Sequence, residues 1–105
     1  MNYVTSAQLI SKLKKEIKEI NVHQFPTFAE KALQLKDTSF VKSLLARLEK
    51  ENNPHIYLKA TEVLMAFNNK QINKQIVDIS RRNKELRKDW GGKEFDKLLR
   101  KNGIK

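Results

Sequence analysis

Apolar residues return every third or fourth position along almost the whole chain, and no stretch alternates in the way a strand requires. A chain patterned like this buries its stripes by packing helices side by side. The 3 glycines and 2 prolines fall where they punctuate the pattern and leave its runs intact. The expected fold is all-α: about six helices built from stacked helical hairpins, as a compact bundle or a short superhelix. With 105 residues and no linker or low-complexity segment, residues 1–105 read as one domain.

Capping and breaking residues set the expected boundaries. The first helix starts near Thr5 or Ser6, where Thr5 and Gln8 have capping-box spacing, and ends near Asn21. Its stripe is Ile10, Leu13, Ile17 and Ile20, with Lys12, Lys14, Lys15 and Lys18 around it. Pro26 blocks continuation, because its ring and missing N–H break a helix interior. Thr27 and Glu30 then open a short helix with Phe28, Ala32 and Leu35 inward. Asp37, Thr38 and Ser39 offer a cap for a third helix, which carries Val41, Leu44, Leu45 and Leu48 and ends near Glu51. Asn53-Pro54 is the strongest boundary: Asn caps orphan amides, and Pro fits the first helical position. The fourth helix buries Ile56, Ala60, Val63, Leu64 and Phe67, up to a junction at Asn68-Asn69. A long fifth helix is expected from about Lys70 to Asp89, with Ile72, Ile76, Ile79, Leu86 and Trp90 on one face. Gly91-Gly92 would end it, and a last helix over about 93–101 would present Phe95, Leu98 and Leu99 before Asn102-Gly103.

Shifting the sequence by 28 residues brings Pro26 onto Pro54, Ala32 onto Ala60 and Leu13 onto Val41. Each unit reads as helix, proline-marked turn, helix, the pattern of hairpins that bury their faces on one another. The stretch from Phe40 to Leu48, the turn Asn52-Asn53-Pro54-His55-Ile56, and Ala60 and Leu64 resemble a HEAT or armadillo hairpin. The same stretch resembles the N-terminal domain shared by transcription elongation factor S-II, elongin A and a Mediator subunit. That resemblance implies a small helical bundle that docks short disordered motifs of transcription regulators. The family places Lys-Trp at the end of its second helix, where this chain has Phe67-Asn68. The tail from Phe95 to Ile104 faintly resembles the end of VHS domains. These residues are core and turn positions covering about a third of the chain, so they speak to architecture more than to function.

Catalytic chemistry has little to work with. Cysteine is absent, which excludes disulfides, thiolate metal sites and cysteine nucleophiles. Two histidines, His23 and His55, fall short of a zinc set. Asp78 with Arg82, Asp96 with Arg100 and Glu85 with Lys88 have the spacing of helix-supporting ion pairs. Gly91-Gly92-Lys93 lacks the glycine spacing and the Lys-Ser/Thr pair of a phosphate loop. The expectation is a protein that is not an enzyme, with no metal and no cofactor. No apolar run reaches the roughly 20 residues of a membrane span, and Met1 to Ile10 has no signal-peptide pattern, so an intracellular setting in cytoplasm or nucleus is expected.

The charge is the functional clue. Lys plus Arg is 22 against 12 Asp plus Glu, a formal +10. Residues 70–105 hold 12 basic and 5 acidic residues, against 10 and 7 in residues 1–69. On the expected fifth helix, Lys70, Lys74, Val77, Arg81, Lys84 and Lys88 are spaced by 4, 3, 4, 3 and 4 and form one stripe opposite the apolar face. Arg82 and Arg87 would widen it. Such a stripe suits phosphate contacts with little base specificity. A solvated outer face is the equal alternative. Tyr3, Tyr57 and Trp90 are the candidate stacking aromatics, with Trp90 expected in the core. The expected nucleic-acid-binding residues are Lys70, Lys74, Arg81, Arg82, Lys84 and Lys88, in a non-enzymatic binding module of nucleic-acid-associated machinery. The alternatives are an adaptor that docks an acidic or amphipathic protein segment, or a small inhibitor of a larger protein.

Overall fold

Asparagine sets most of the joints. The computed structural model describes residues 6–36 and 38–103, and among them it has six α-helices, one 3-10 turn and no strand. The helices are α1 (Ser6–Glu19), α2 (Phe25–Leu35), α3 (Phe40–Lys50), α4 (Pro54–Ala66), α5 (Lys70–Arg82) and α6 (Asp89–Lys101), with the 3-10 turn Lys84–Arg87 between the last two. Asn53 accepts from the His55 amide at the start of α4, and Asn69 accepts from the Gln71 and Ile72 amides at the start of α5. Each takes up backbone donors that a helix start leaves orphaned. Asn21 does likewise in the turn before α2, accepting from the His23 and Gln24 amides. The expected Thr5 cap and the Asp37 part of the next one lie outside the described residues.

The helices form two rows. α1, α3 and α5 pack in succession in one row, and α2, α4 and α6 in the other, while α3 and α4 pair across them. Long side chains fix the directions. Arg47, late in α3, donates to the Ile17 and Ile20 carbonyls at the end of α1 (3.1 and 2.7 Å), so these two helices run parallel. Asn83, just past α5, donates to the Leu48 and Glu51 carbonyls at the end of α3, both at 2.9 Å. In the second row, His55 and Trp90 meet at the starts of α4 and α6, and Asn102 reaches Met65 at their ends. The molecule measures 48 × 26 × 19 Å, as a short stack of hairpins should.

The core lies between the rows. Its largest fully buried side chains include Tyr57, Phe25, Phe40, Phe95, Ile17, Leu44, Leu48, Leu64, Ile76 and Leu86. Leu13, Ile17, Phe25, Ala29 and Ala32 are buried, and so are Leu44, Leu48, Ile56, Ala60 and Val63, each 31 positions further on. Burial thus repeats at 31, whereas the prolines repeat at 28. The two prolines mark equivalent turns, but α2 begins one residue before its proline and α4 begins on its own. This also turns α2 relative to expectation. Phe25 is fully buried, Phe28 is half-buried, and Leu35 is 41% exposed.

The largest correction concerns the fifth helix. It does not run to Asp89; it stops at Arg82, and the chain makes a 3-10 turn before α6 starts at Asp89. Asn83 causes the break. Its backbone leaves the helical region, its Oδ1 accepts from the Glu85 amide, and its Nδ2 binds the end of α3. Gly91-Gly92 therefore terminates nothing. Both glycines are buried in the first turn of α6. A Cβ on Gly91 would sit 1.8 Å from the Tyr57 hydroxyl, and one on Gly92 2.4 Å from the Arg87 carbonyl, so they are there for close approach. Trp90 is not core: it is 51% exposed.

Candidate polyanion-binding face

α5 carries the face because its two sides differ so sharply. Ile72, Ile76, Ile79 and Ser80 are buried, and Lys70, Lys74 and Arg81 stand on the opposite side, exposed. Val77, half-buried, completes that line. From Lys70 to Arg81 the ridge is about 17 Å long, at roughly 1.5 Å of rise per residue. Lys84 and Lys88 do not extend it in register. Lys84 lies in the 3-10 turn and Lys88 precedes α6, so the break at Asn83 removes them from the α5 line.

Ion pairing divides the six expected contact residues further. Arg82 is a forked partner of Glu49 on α3, with Nε at 2.7 Å and Nη2 at 2.9 Å from the two carboxylate oxygens. That hydrogen bond, with the positive charge behind it, holds the Glu49 carboxyl below its ordinary value and the Arg82 guanidinium above its own. Lys88 pairs with Glu85 at 3.0 Å, as its spacing led one to expect. Arg87 pairs with Asp96 at 2.8 Å, lies over the Phe95 ring and donates to the Ser80 hydroxyl. The expected pairs Asp78 with Arg82 and Asp96 with Arg100 give way to these longer-range partners. Lys70, Lys74, Arg81 and Lys84 form no ion pair with a described carboxylate.

Beside the ridge runs an open groove of about 510 Å3, lined by Lys70, Asn73, Lys74, Val77, Asp78 and Arg81 on α5, with Asn68 from just past α4 and Asn102 and Gly103 from just past α6. The Oδ1 of Asn73 is buried and accepts no hydrogen bond. Sequence reasoning missed Asn73 and Asn102. Asn102 reaches the groove from another helix, and no spacing along α5 announces it. The groove offers cations for an anion and one acceptor, Asp78, for a donor. Among the described residues no group of three or more His, Asp or Glu is placed to hold a metal ion. No described helix is long and apolar enough to cross a membrane. Comparison of the chain with models of known protein families, with curated proteins and with solved structures returns no match.

Proposed function

We propose that this protein is a non-enzymatic binding module that holds a nucleic-acid backbone along α5. The observation that carries the reading is an exposed row of cations without ion partners. Lys70, Lys74 and Arg81 share one exposed ridge and form no ion pair with a described carboxylate, whereas Arg82 and Lys88, expected beside them, are each paired. Like charges at helical spacing repel one another mildly, and a line of phosphates relieves that repulsion. Nucleotides also bring donors, on bases and sugars, for Asp78. Lysine and arginine contacts of this kind position a backbone without reading its sequence.

A second reading, an adaptor that docks a protein segment, draws on the exposed Trp90, whose ring lies 5.4 Å from that of His55. The two readings separate by fluorescence anisotropy with a labelled oligonucleotide across a salt series. A backbone contact through Lys70, Lys74 and Arg81 predicts a log–log salt slope near −3, at roughly 0.9 per neutralised phosphate on duplex DNA. Arg81→Ala lowers that slope by about one, and Arg82→Ala, whose guanidinium is already engaged by Glu49, changes it much less. Equal effects of the two substitutions, or affinity indifferent to salt, would remove the α5 ridge from the interface.

A further inference from the structure

Trp90 is the only tryptophan of the chain, and the fold turns it outward. The described buried positions of α6 are Gly91, Gly92, Phe95 and Leu99, so glycine rather than a bulky side chain faces the core at the first turn. Gly91 lies against Tyr57 and Pro54 of α4, and that close seating leaves the indole 51% exposed at the edge of the joint. The ring is braced there. His55, in the first turn of α4, meets it with 5.4 Å between ring centroids and the two planes tilted by 56°. Arg87 bonds both Ser80 of α5 and Asp96 of α6, which ties the first half of α6 to the end of α5. Asn83, two residues past Arg81, bonds the Glu51 carbonyl in the turn that leads to His55, so Trp90 stands at the Arg81 end of the ridge.

We infer that the indole of Trp90 stacks an unpaired nucleobase, so that the chain prefers a single strand to a duplex. This rests on the backbone-binding reading of α5 and adds the kind of strand. An exposed and braced indole is a flat apolar surface with little rotamer freedom left to lose on binding. The charges beside it suit a nucleotide. Lys93 stands one helical turn further on, exposed and in no ion pair with a described carboxylate, and Lys84, in the same state, lies on the chain between Arg81 and Trp90. Glu94, also one turn on, is held by Lys97 at 3.1 Å. An aromatic ring set between such cations takes a base on its face and the adjoining phosphates to either side. A duplex keeps its base faces stacked inside, whereas a single strand can turn one out onto the ring. Stacking tolerates any base, in keeping with a ridge that positions a backbone without reading sequence.

Because the chain has one tryptophan, its emission reports on this ring alone. The full chain is titrated at low salt with a short oligodeoxythymidylate, with a strand of equal length built of abasic residues, and with the oligodeoxythymidylate paired to its complement. Saturable quenching is expected with the single strand of thymidines and not with the other two. By anisotropy of the labelled strands, Trp90→Ala should weaken oligodeoxythymidylate binding by between about fivefold and about a hundredfold, the worth of one base on an aromatic ring, and leave abasic-strand binding as it was. The salt slope should stay that of the parent, since no cation is lost. Trp90→Phe keeps an aromatic face and should recover part of the loss, and neither change opens a buried cavity, as the indole is half in water. Lys74→Glu with Arg81→Glu should weaken all three ligands. If it weakens none while thymidylate still quenches Trp90, the stacking stands and the α5 reading falls. Thymidine and abasic strands bound alike, with unmoved emission and full affinity in the Trp90→Ala protein, overturn the stacking, leave the α5 reading in place and give Trp90 to a protein segment. Binding of none of the three ligands overturns both.

Discussion

The guanidinium of Arg47 reaches three partners at once: Glu51 at 2.6 Å, the Ile17 carbonyl at 3.1 Å and the Ile20 carbonyl at 2.7 Å, while its plane lies over the Phe25 ring. The carbonyls are those that the end of α1 leaves without intrahelical donors, and they carry the negative end of its dipole. Glu51 in turn accepts from the Asn52 and Asn53 amides, so one side chain ties α1, α2, α3 and the turn into α4. Only the planar fork of arginine serves all of these directions. Arg47→Ala strips the Glu51 carboxylate of its cation and leaves two carbonyls unpaired at a half-buried joint, and should cost about 3 kcal/mol in urea unfolding. Arg47→Lys keeps the charge and should still lose about 2 kcal/mol, because one ammonium cannot reproduce the fork. A lysine variant as stable as the parent would show that charge alone does the work. Asn83 is the second such residue. Its side chain makes three backbone hydrogen bonds, two of them to α3, and Asn83→Ala should cost about 2 kcal/mol through lost capping and bonding.

Those long-range bonds explain which elements the sequence reveals and which it conceals. α3, α4 and the start of α5 announce themselves, because Asn53-Pro54 and Asn69 act within their own turn. The end of α5 does not. Leu86 continues the 3.6-residue stripe of Ile72, Ile76 and Ile79 and is buried as the stripe demands, so a helical wheel carries on through the break. What ends the helix is the attraction of Asn83 for carbonyls more than thirty residues earlier, and no local pattern encodes that. The glycine pair misleads for a related reason, since Tyr57 comes from α4 and Arg87 from the 3-10 turn that the break at Asn83 creates. Gly92→Ala is therefore a sharp check on the α6 start. In an open helix the change gains up to about 1 kcal/mol of propensity. Here the new Cβ meets rigid backbone, and a loss of about 2 kcal/mol is expected by overpacking, read from the shift of the urea midpoint. The α3–α5 joint offers a pH test. Glu49 titrates lower in the folded protein than its ordinary 4.5 because of the Arg82 hydrogen bond. Its contribution is complete above pH 4.5 and disappears as acidity carries the pH down through the lowered folded value. Glu49→Gln should remove that part of the acid dependence and leave stability at neutral pH only slightly reduced, as exposed pairs contribute little.

At the scale of the molecule, the formal +10 on a body 48 Å long puts folding and binding in opposition. Every unpaired cation on the first row of helices raises the self-repulsion of the folded state, and a residue kept there for packing would leave a hole when changed. The α5 ridge makes the distinction measurable, because Lys74 and Arg81 are exposed and touch no described carboxylate, so their replacement opens no cavity. Lys74→Glu with Arg81→Glu lowers the net charge by four. At low ionic strength the doubly substituted protein should melt no lower than the parent, and adding salt should narrow any difference, as screening acts over about 10 Å at 0.1 M. The same protein should lose oligonucleotide binding. A stability gain joined to a binding loss is the signature of residues held for a partner at the expense of the free fold. If instead the substitutions lowered the melting temperature as well, the ridge would belong to the architecture, and the weakened binding would follow from damage to the fold.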